Sequence, residues 1–527
     1  MRRRRFLKLL ALGAAGFSGL TGLSGCLREK PREYLRVDGD RVLEPNGSQV
    51  LLRGFNTGFR DFRNVLGEED IARIRGMGGN CLRLWYEYTD FEERPYEYRK
   101  EAFSLLDRVM GWCRRHGVYV VLCNHHAPGG QNPHDFVVRG GTYSFWREEE
   151  NQERYYALWS EIAKRYSGEK IIAGYDLLNE GVPPSLKRYT EVMEKAAQAV
   201  RSHDENHILV VEEARIPLDN GNQRLVLLPI KDSNVLYSIH FFYPPQFTFY
   251  TTTSTGNRTI TTYPGEMMVA GERLRLDRSP KITGSHGWRK TVLKATPPEG
   301  AEVMLVSLVS RNNKGKVWFD DVELRGRETV DLPAPLVSNP SFEIDHAGFN
   351  WEIRGEGVDF TGEEAHTGAQ SLIFSGTREA LARSSPISVD GREYGLSAWV
   401  KAENATGDTY IAISWHRAKV IARLDKDELE ARLQYAFNFR SRHGAPILVG
   451  EFTAHANPSM TSVVNYLRDV LEIMEENSLH WCYWSYYSHL PGIGVYSGNK
   501  PYLSRPEAVE LLKRYMGGHE GGLTSAQ

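Results

Sequence analysis

Residues 173–180 read Ala173-Gly174-Tyr175-Asp176-Leu177-Leu178-Asn179-Glu180, and they decide the fold. The run from Ala173 to Asn179 is a short apolar strand, and it delivers a carboxylate, Glu180, at its carboxyl end. Seven further runs have the same character: Gln49–Asn56, Cys81–Tyr86, Tyr119–His125, Ile208–Glu212, Val235–Phe241, Pro446–Glu451 and Trp481–Ser485. Amphipathic stretches lie between them. Phe103, Leu106, Met110 and Cys113 fall on one helical face, and that helix is expected to stop at Arg114-Arg115-His116-Gly117, basic residues followed by glycine. Tyr156, Trp159, Ile162, Ala163 and Tyr166 repeat the pattern, as do Val463, Tyr466, Leu467 and Val470. Short apolar strands alternating with helices make a parallel sheet, and eight such units predict a closed (β/α)8 barrel. The alternative, an open doubly wound sheet, is disfavoured because no glycine-rich phosphate turn follows an early strand.

The alternation breaks between about Gly271 and His416. There the sequence turns all-β, with strand-like runs at Glu302–Leu308, Lys316–Leu324, Ser371–Phe374, Tyr394–Val400 and Tyr410–Trp415. A β-sandwich inserted after the sixth barrel strand accounts for it. The chain thus divides into a signal over 1–26, a barrel in two parts over 34–270 and 417–515, and an insert over 271–416. Loops that follow barrel strands build the active end, so the insert is expected beside the catalytic mouth.

The formal net charge of −2 gives no broad basic field, which argues against a nucleic-acid partner. At the amino terminus Arg2 to Arg5 precede Phe6-Leu7-Lys8 and a glycine-rich apolar run ending in Leu23-Ser24-Gly25-Cys26. The run is too short and glycine-rich for a spanning helix and reads as an export signal of twin-arginine type. Its end is similar to a lipoprotein cleavage box, which implies lipidation of Cys26 and attachment to the outer side of the cell membrane; secretion without a lipid is the alternative. Cys81, Cys113, Cys123 and Cys482 lack metal-site spacing and are expected as buried thiols. The sequence sets no oligomeric state and calls for no cofactor.

Two glutamates end apolar strands: Glu180, and Glu451 after Ile447-Leu448-Val449-Gly450. Either alone is an ordinary solvated strand end. A pair of carboxyl groups on different barrel strands is what glycosidic bond cleavage with retention needs, at a separation of about 5–5.5 Å. Asn179, beside Glu180, is suited to hydrogen-bond a sugar hydroxyl. These residues, in this order, resemble glycoside hydrolase family 5, the clan of cellulases, mannanases and related β-glucanases, over roughly 34–270 and 417–515. The resemblance implies Glu180 as acid/base with a raised pKa and Glu451 as nucleophile. Arg83, in Asn80-Cys81-Leu82-Arg83, would orient that nucleophile; the alternative is a structural ion-pair partner. His125, in the run Asn124–Asn132, would sit on the sugar-binding floor, and a metal pair with His126 is disfavoured because adjacent strand residues rarely share an ion. His240 matches the sixth-strand histidine, and Trp484 matches the tryptophan on which a sugar stacks. Three positions depart from the family: Gly181 stands where proline is usual, Cys123 where aspartate is frequent, and Phe242 where a tyrosine bonds the nucleophile. Tyr243 replaces that tyrosine only if the chain bulges, since neighbours on a strand face opposite ways.

Within the insert, the segments from Gly287 to Leu324 and from Ser338 to Val400 resemble the end and the beginning of a family 4-like carbohydrate-binding module, in reversed order. That resemblance implies a circular permutation and makes Asp321 and Glu343 candidate calcium ligands, the alternative being surface carboxylates. Trp351, Trp399 and Trp415 are candidates either for sugar stacking or for the core. The expected function is retaining hydrolysis of a β-linked polysaccharide, β-glucan before mannan. The alternatives are a lipid-anchored binding protein without turnover and a transglycosylase using the same intermediate.

Overall fold

A computed structural model describes residues 33–132, 143–217, 223–244, 248, 262–326, 337, 341–342, 351–384, 386–389, 391, 393–454, 460–488, 494–498, 502–503 and 505–517. Cys26 and Glu343 therefore lie outside the described residues. Among those described, no helix is long and apolar enough to cross a membrane.

Eight parallel strands close into a barrel: β1 (Arg53–Gly58), β2 (Cys81–Glu87), β3 (Tyr119–His126), β4 (Ile172–Asp176), β5 (Ile208–Glu212), β6 (Val235–Phe241), β7 (Ile447–Phe452) and β8 (His480–Tyr483). Each pairs with the next in chain order, and β8 returns to β1. The fold is a (β/α)8 barrel. Helices such as Lys100–His116 and Glu149–Tyr166 pack outside it. The first of these buries Phe103, Leu106, Met110 and Cys113 and ends on Gly117 in the left-handed conformation, at φ 65°.

Side-chain alternation sorts the strands into two cores. Leu82, Leu84 and Tyr86 of β2 face the helices, whereas Cys81 joins Leu52, Val121, Ala173, Ile208, Val210, Leu236, Leu448 and Cys482 inside the barrel. Arg83 therefore points inward, one layer above Cys81. Glu212 and His240 follow Val210 and Leu236 inward by the same alternation. Glu451 does not, because Leu448 is inward and three residues on should face out. The pairing of β6 with β7 shifts here: Ile239 lies opposite Val449, but His240 lies opposite Glu451. The extra residue is Gly450, and the bulge turns Glu451 inward. A Cβ on Gly450 would stand 2.6 Å from Ser238 Oγ, so the bulge needs glycine.

Strand four ends at Asp176, short of the expected Asn179, because the chain turns there; Glu180 sits in the following loop with φ 46°. The insert is wider than 271–416. Strands Gly265–Arg278 and Asp408–Leu424 pair antiparallel from Gly265 opposite Leu424 to Arg278 opposite Ala412, forming a ladder that leads out of the barrel. Two antiparallel sheets follow, and residues of both share one buried cluster that includes Met304, Val306, Phe319, Phe374, Leu396 and Ile413. Trp351 and Trp415 belong to that cluster and are fully buried, so neither is available to stack on a sugar.

Candidate active site

Arg83 organises the carboxyl end of the barrel. Its Nη1 donates to Glu451 Oε1 at 2.7 Å and to Asn56 Oδ1 at 2.9 Å. Its Nη2 donates to Glu212 Oε1 at 2.7 Å and to Asn179 Oδ1 at 2.9 Å, and its Nε to Asp176 Oδ2 at 2.8 Å. A buried guanidinium is costly to desolvate, and three carboxylates within hydrogen-bond distance keep it charged. Asp176 is pushed up to about 7, first by burial and then by Glu212, with Arg83 opposing.

His240 lies between the two candidate catalytic carboxylates. Its Nδ1 is 2.8 Å from Glu180 Oε1 and 3.7 Å from Glu451 Oε2, and its Nε2 is 3.3 Å from Glu212 Oε1. Burial opposes its charge, but Glu212 and Glu451, together with the hydrogen bonds, outweigh burial and raise it to about 10. His240 is thus an imidazolium at neutral pH. Glu180, His240 and Glu451 present atoms all within 4.8 Å of one another. The fold thus brings together two carboxylates that are 271 positions apart in the chain, with His240 against both.

Electrostatics reverse one expectation. Burial raises Glu180, but Arg215 and His240 outweigh it and hold the carboxyl well below its ordinary range. Arg215 Nη2 donates to Glu180 Oε1 at 2.6 Å. Glu451 is raised instead, by burial first and then by Glu180 and Glu212, while His240 and Arg83 oppose. The direction of the Glu180 shift is thus opposite to the expected one.

Around the pair, Trp85 and Trp484 stack at 6.1 Å and 25°, and the His125 ring meets both edge-on, at 4.9 and 5.7 Å. All three are half-buried, which leaves faces for a sugar ring. Burial, with His126 and Arg83 nearby, keeps His125 neutral. The Asn124–Asn132 run braces the acid loop from below. Gln131 Nε2 donates to the carbonyls of His125 and Asn179 at 2.7 and 2.9 Å, and Asn132 Nδ2 donates to Glu180 O at 3.2 Å.

Of the residues expected in the site, Glu180, Glu451, Arg83, His125, Asn179, His240 and Trp484 assemble here. Tyr243 is the correction. The strand ends at Phe241, and Tyr243 keeps the outward alternation; its hydroxyl donates to Glu428 Oε1 at 2.8 Å on helix Lys426–His443, under the Arg432 guanidinium. Phe242 instead sets its ring 6.2 Å from that of His240. Sequence reasoning missed Asn56, Asp176, Glu212 and Arg215. Glu212 carried the same signal as Glu451, a carboxylate ending an apolar strand. Arg215, on the hairpin of Ala214–Pro217 with Gln223–Val226, carried none.

Metal binding finds little room here. Cys123, Asp176 and Glu212 cluster closely enough for an ion, but the Arg83 guanidinium fills their centre. A cation among Glu180, His240 and Glu451 would meet an imidazolium. In the insert, Asp321 Oδ2 lies 2.6 Å from His366 Nδ1, and its Oδ1 accepts from Thr367 Oγ1 at 2.6 Å. Both oxygens of Asp321 are thus engaged by protein donors. Trp399 is half-buried, and His366 covers its face at 3.9 Å.

Residues 43–273 match the cellulase family, glycosyl hydrolase family 5. The matched cellulase segment spans β1 to β6 and includes Arg83, His125, Asn179, Glu180 and His240. Glu451 and Trp484 come from β7 and β8, which close the same barrel beyond the match. The chain is 33% identical to a β-xylosidase of Phanerodontia chrysosporium over 219 residues, covering 34% of this chain and 46% of that protein. It is 29% identical to endoglucanase C of Acetivibrio thermocellus over 212 residues, covering 39% of this chain and 60% of that one. The chain thus spans about half the length of these relatives. Endoglucanase Cel5A from the hyperthermophilic Thermotoga maritima superposes with a TM-score of 0.46 at 16% identity, covering 87% of this chain and 96% of that one.

Proposed function

We propose that the protein is a retaining glycoside hydrolase acting on β-linked glucan. The observation that carries this reading is the approach of Glu180 and Glu451, with oxygens within 4.8 Å, near the roughly 5 Å spacing of retaining enzymes and too close for the water an inverting enzyme places between its carboxyls. Glu451 attacks the anomeric carbon as Glu180 protonates the departing oxygen, giving a glycosyl ester on Glu451. Glu180, now ionised, takes a proton from water, and the water oxygen displaces the ester. Arg83 holds Glu451 for in-line attack. Asn179, its oxygen committed to Arg83, has its Nδ2 left to donate to a sugar hydroxyl. Trp484 and Trp85 offer the stacking surface. The acid step needs Glu180 protonated, which low pH provides, or a bound sugar that separates it from its cations.

Matches to endoglucanases favour β-glucan, and the β-xylosidase match keeps xylan among the substrates to test. The reading extends to export and lipid attachment at Cys26, checked by palmitate labelling of wild type and Cys26→Ser. It also takes the inserted sandwich as a permuted relative of family 4-like carbohydrate-binding modules, checked by retention of that region's binding to insoluble glucan when Glu451 is replaced. The central test is a reducing-sugar assay over β-glucans, mannan and xylan. Wild type releases sugar, and a folded Glu451→Ala variant loses on the order of 10⁴- to 10⁶-fold, as when a nucleophile is removed. Binding without product on every glycan, or full activity in Glu451→Ala, contradicts the proposal.

A further inference from the structure

Among the described residues, Arg215 is the one cation of the site that no strand-end or motif signal explains. It stands two residues beyond Glu213 on the hairpin that leaves β5, and its backbone N–H donates to Gly181 O at 2.9 Å, tying the hairpin to the acid loop. Its guanidinium is largely withdrawn from solvent, and Nε is buried without a hydrogen-bond partner. Such a placement is costly unless negative charge offsets it. Glu213 lies near but is engaged elsewhere: its Oε2 accepts from the Tyr435 hydroxyl, and its Oε1 faces the His240 N–H at 3.4 Å. The guanidinium's direct side-chain hydrogen bond is to Glu180, through Nη2 to Oε1 at 2.6 Å, with Glu213, Glu212 and Glu451 adding attraction at longer range.

The choice of oxygen matters. His240 Nδ1 approaches the same atom, Oε1, at 2.8 Å. Two donors saturate Oε1, and the backbone side of the residue is fixed as well, since the Glu180 N–H donates to Glu212 Oε2 at 2.7 Å. A proton on this carboxyl group then has one place to go, Oε2. We propose that Arg215 is a positioning residue for the acid/base: with His240 it occupies Oε1, assigns proton delivery and uptake to Oε2, and by its charge confines turnover to acidic pH.

This inference rests on the reading of Glu180 as acid/base. The other groups facing Glu180 come from four strands: His240 from β6, neutral His125 from β3, Glu451 from β7, and Glu212 from β5. Glu451 and Glu212 oppose Arg215, and His240 supports it, so the effect of Arg215 is read as a difference between variants. An opposite charge in contact lowers a carboxyl by about one to three units. Removing it raises Glu180 and moves the basic limb of the rate profile to higher pH by a similar amount, because that limb marks loss of the acid's proton.

The experiment compares pH profiles of kcat/KM for wild type, Arg215→Gln and Arg215→Lys on an aryl β-glycoside with a poor leaving group, which depends on the acid. The expected result is a basic limb raised by about one to three pH units in Arg215→Gln and returned toward wild type in Arg215→Lys. An unmoved limb in folded Arg215→Gln, or Arg215→Lys no nearer wild type than Arg215→Gln, overturns the proposal. If Arg215→Gln does not fold, carbon-13 NMR titration of the wild-type glutamate carboxyls decides, with Glu180 assigned by its absence from Glu180→Gln. The same titration in His240→Gln leaves Arg215 as the cation in contact with Glu180: half-protonation below the ordinary glutamate range there supports the proposal, and half-protonation at or above that range overturns it. The titration needs no turnover, so an inactive wild type would count against the glycosidase reading while the Arg215–Glu180 relation is still measured.

Discussion

Arg83 and Glu451 form a buried ion pair at 2.7 Å, and the same guanidinium reaches Asp176, Glu212 and Asn179. One residue on β2 thereby fixes side chains from β4, β5, β7 and the acid loop. Glu451, turned inward by the bulge at Gly450, is held by this shared donor.

Replacing Arg83 separates its structural and positioning roles. Arg83→Met leaves three buried carboxylates without their cation, and breaking a buried pair in this way costs about 3–5 kcal/mol. Calorimetry should show a clear fall in Tm. Arg83→Lys keeps the charge but offers a single centre where five N–H groups were used. It should fold, with kcat reduced roughly 10²-fold by misplacement of the nucleophile. Near-wild-type kcat in Arg83→Lys would show that the orientation of Glu451 does not depend on the guanidinium.

The charge on His240 makes a prediction about stability. Its folded value is raised to about 10 from an ordinary value near 6.5, so its charge stabilises the fold fully below about pH 6.5. That contribution is lost as pH rises toward 10. Denaturant unfolding of wild type against His240→Gln should therefore give a stability difference that shrinks between about pH 6.5 and 10. A difference that is constant or grows over that window contradicts an imidazolium at His240.

How much of this was legible in the sequence depended on which side chains follow simple alternation. All eight barrel strands were readable because each is a short apolar run, although among the described residues β5 is followed by a hairpin and not by a helix, and seven of the eight expected site residues converge. Glu180 was readable as a residue although its strand ends four positions earlier, since the motif Asn179-Glu180 survives the turn. The inward aim of Glu451 rests on a one-residue bulge at Gly450, which a period-two pattern cannot reveal. Arg215 reaches the site from the hairpin strand Ala214–Pro217, which is not one of the barrel strands and so is not placed by their alternation. The charge state of Glu180 was misread for the same reason: the residues that set it, Arg215 and a protonated His240, are brought there by the fold.

Trp351 and Trp415 of the insert are core residues by burial, and this can be checked. Trp351→Ala and Trp415→Ala should each destabilise the sandwich by about 3–5 kcal/mol, the usual cost of emptying a large core site. Affinity for soluble glucan, measured by electrophoresis in a glucan-containing gel below the melting range, should not change. Lost affinity without lost stability would place these rings on a binding surface.

The stereochemistry of the first product tests the account most directly. In the proposed mechanism two carboxylates this close leave no room for a water between nucleophile and sugar, so cleavage is expected to pass through an ester on Glu451. Proton NMR of a β-linked oligosaccharide digest, recorded before mutarotation, should show the β-anomer appearing first at the new reducing end. The α-anomer appearing first would contradict the covalent role of Glu451 and the pairing on which the account stands.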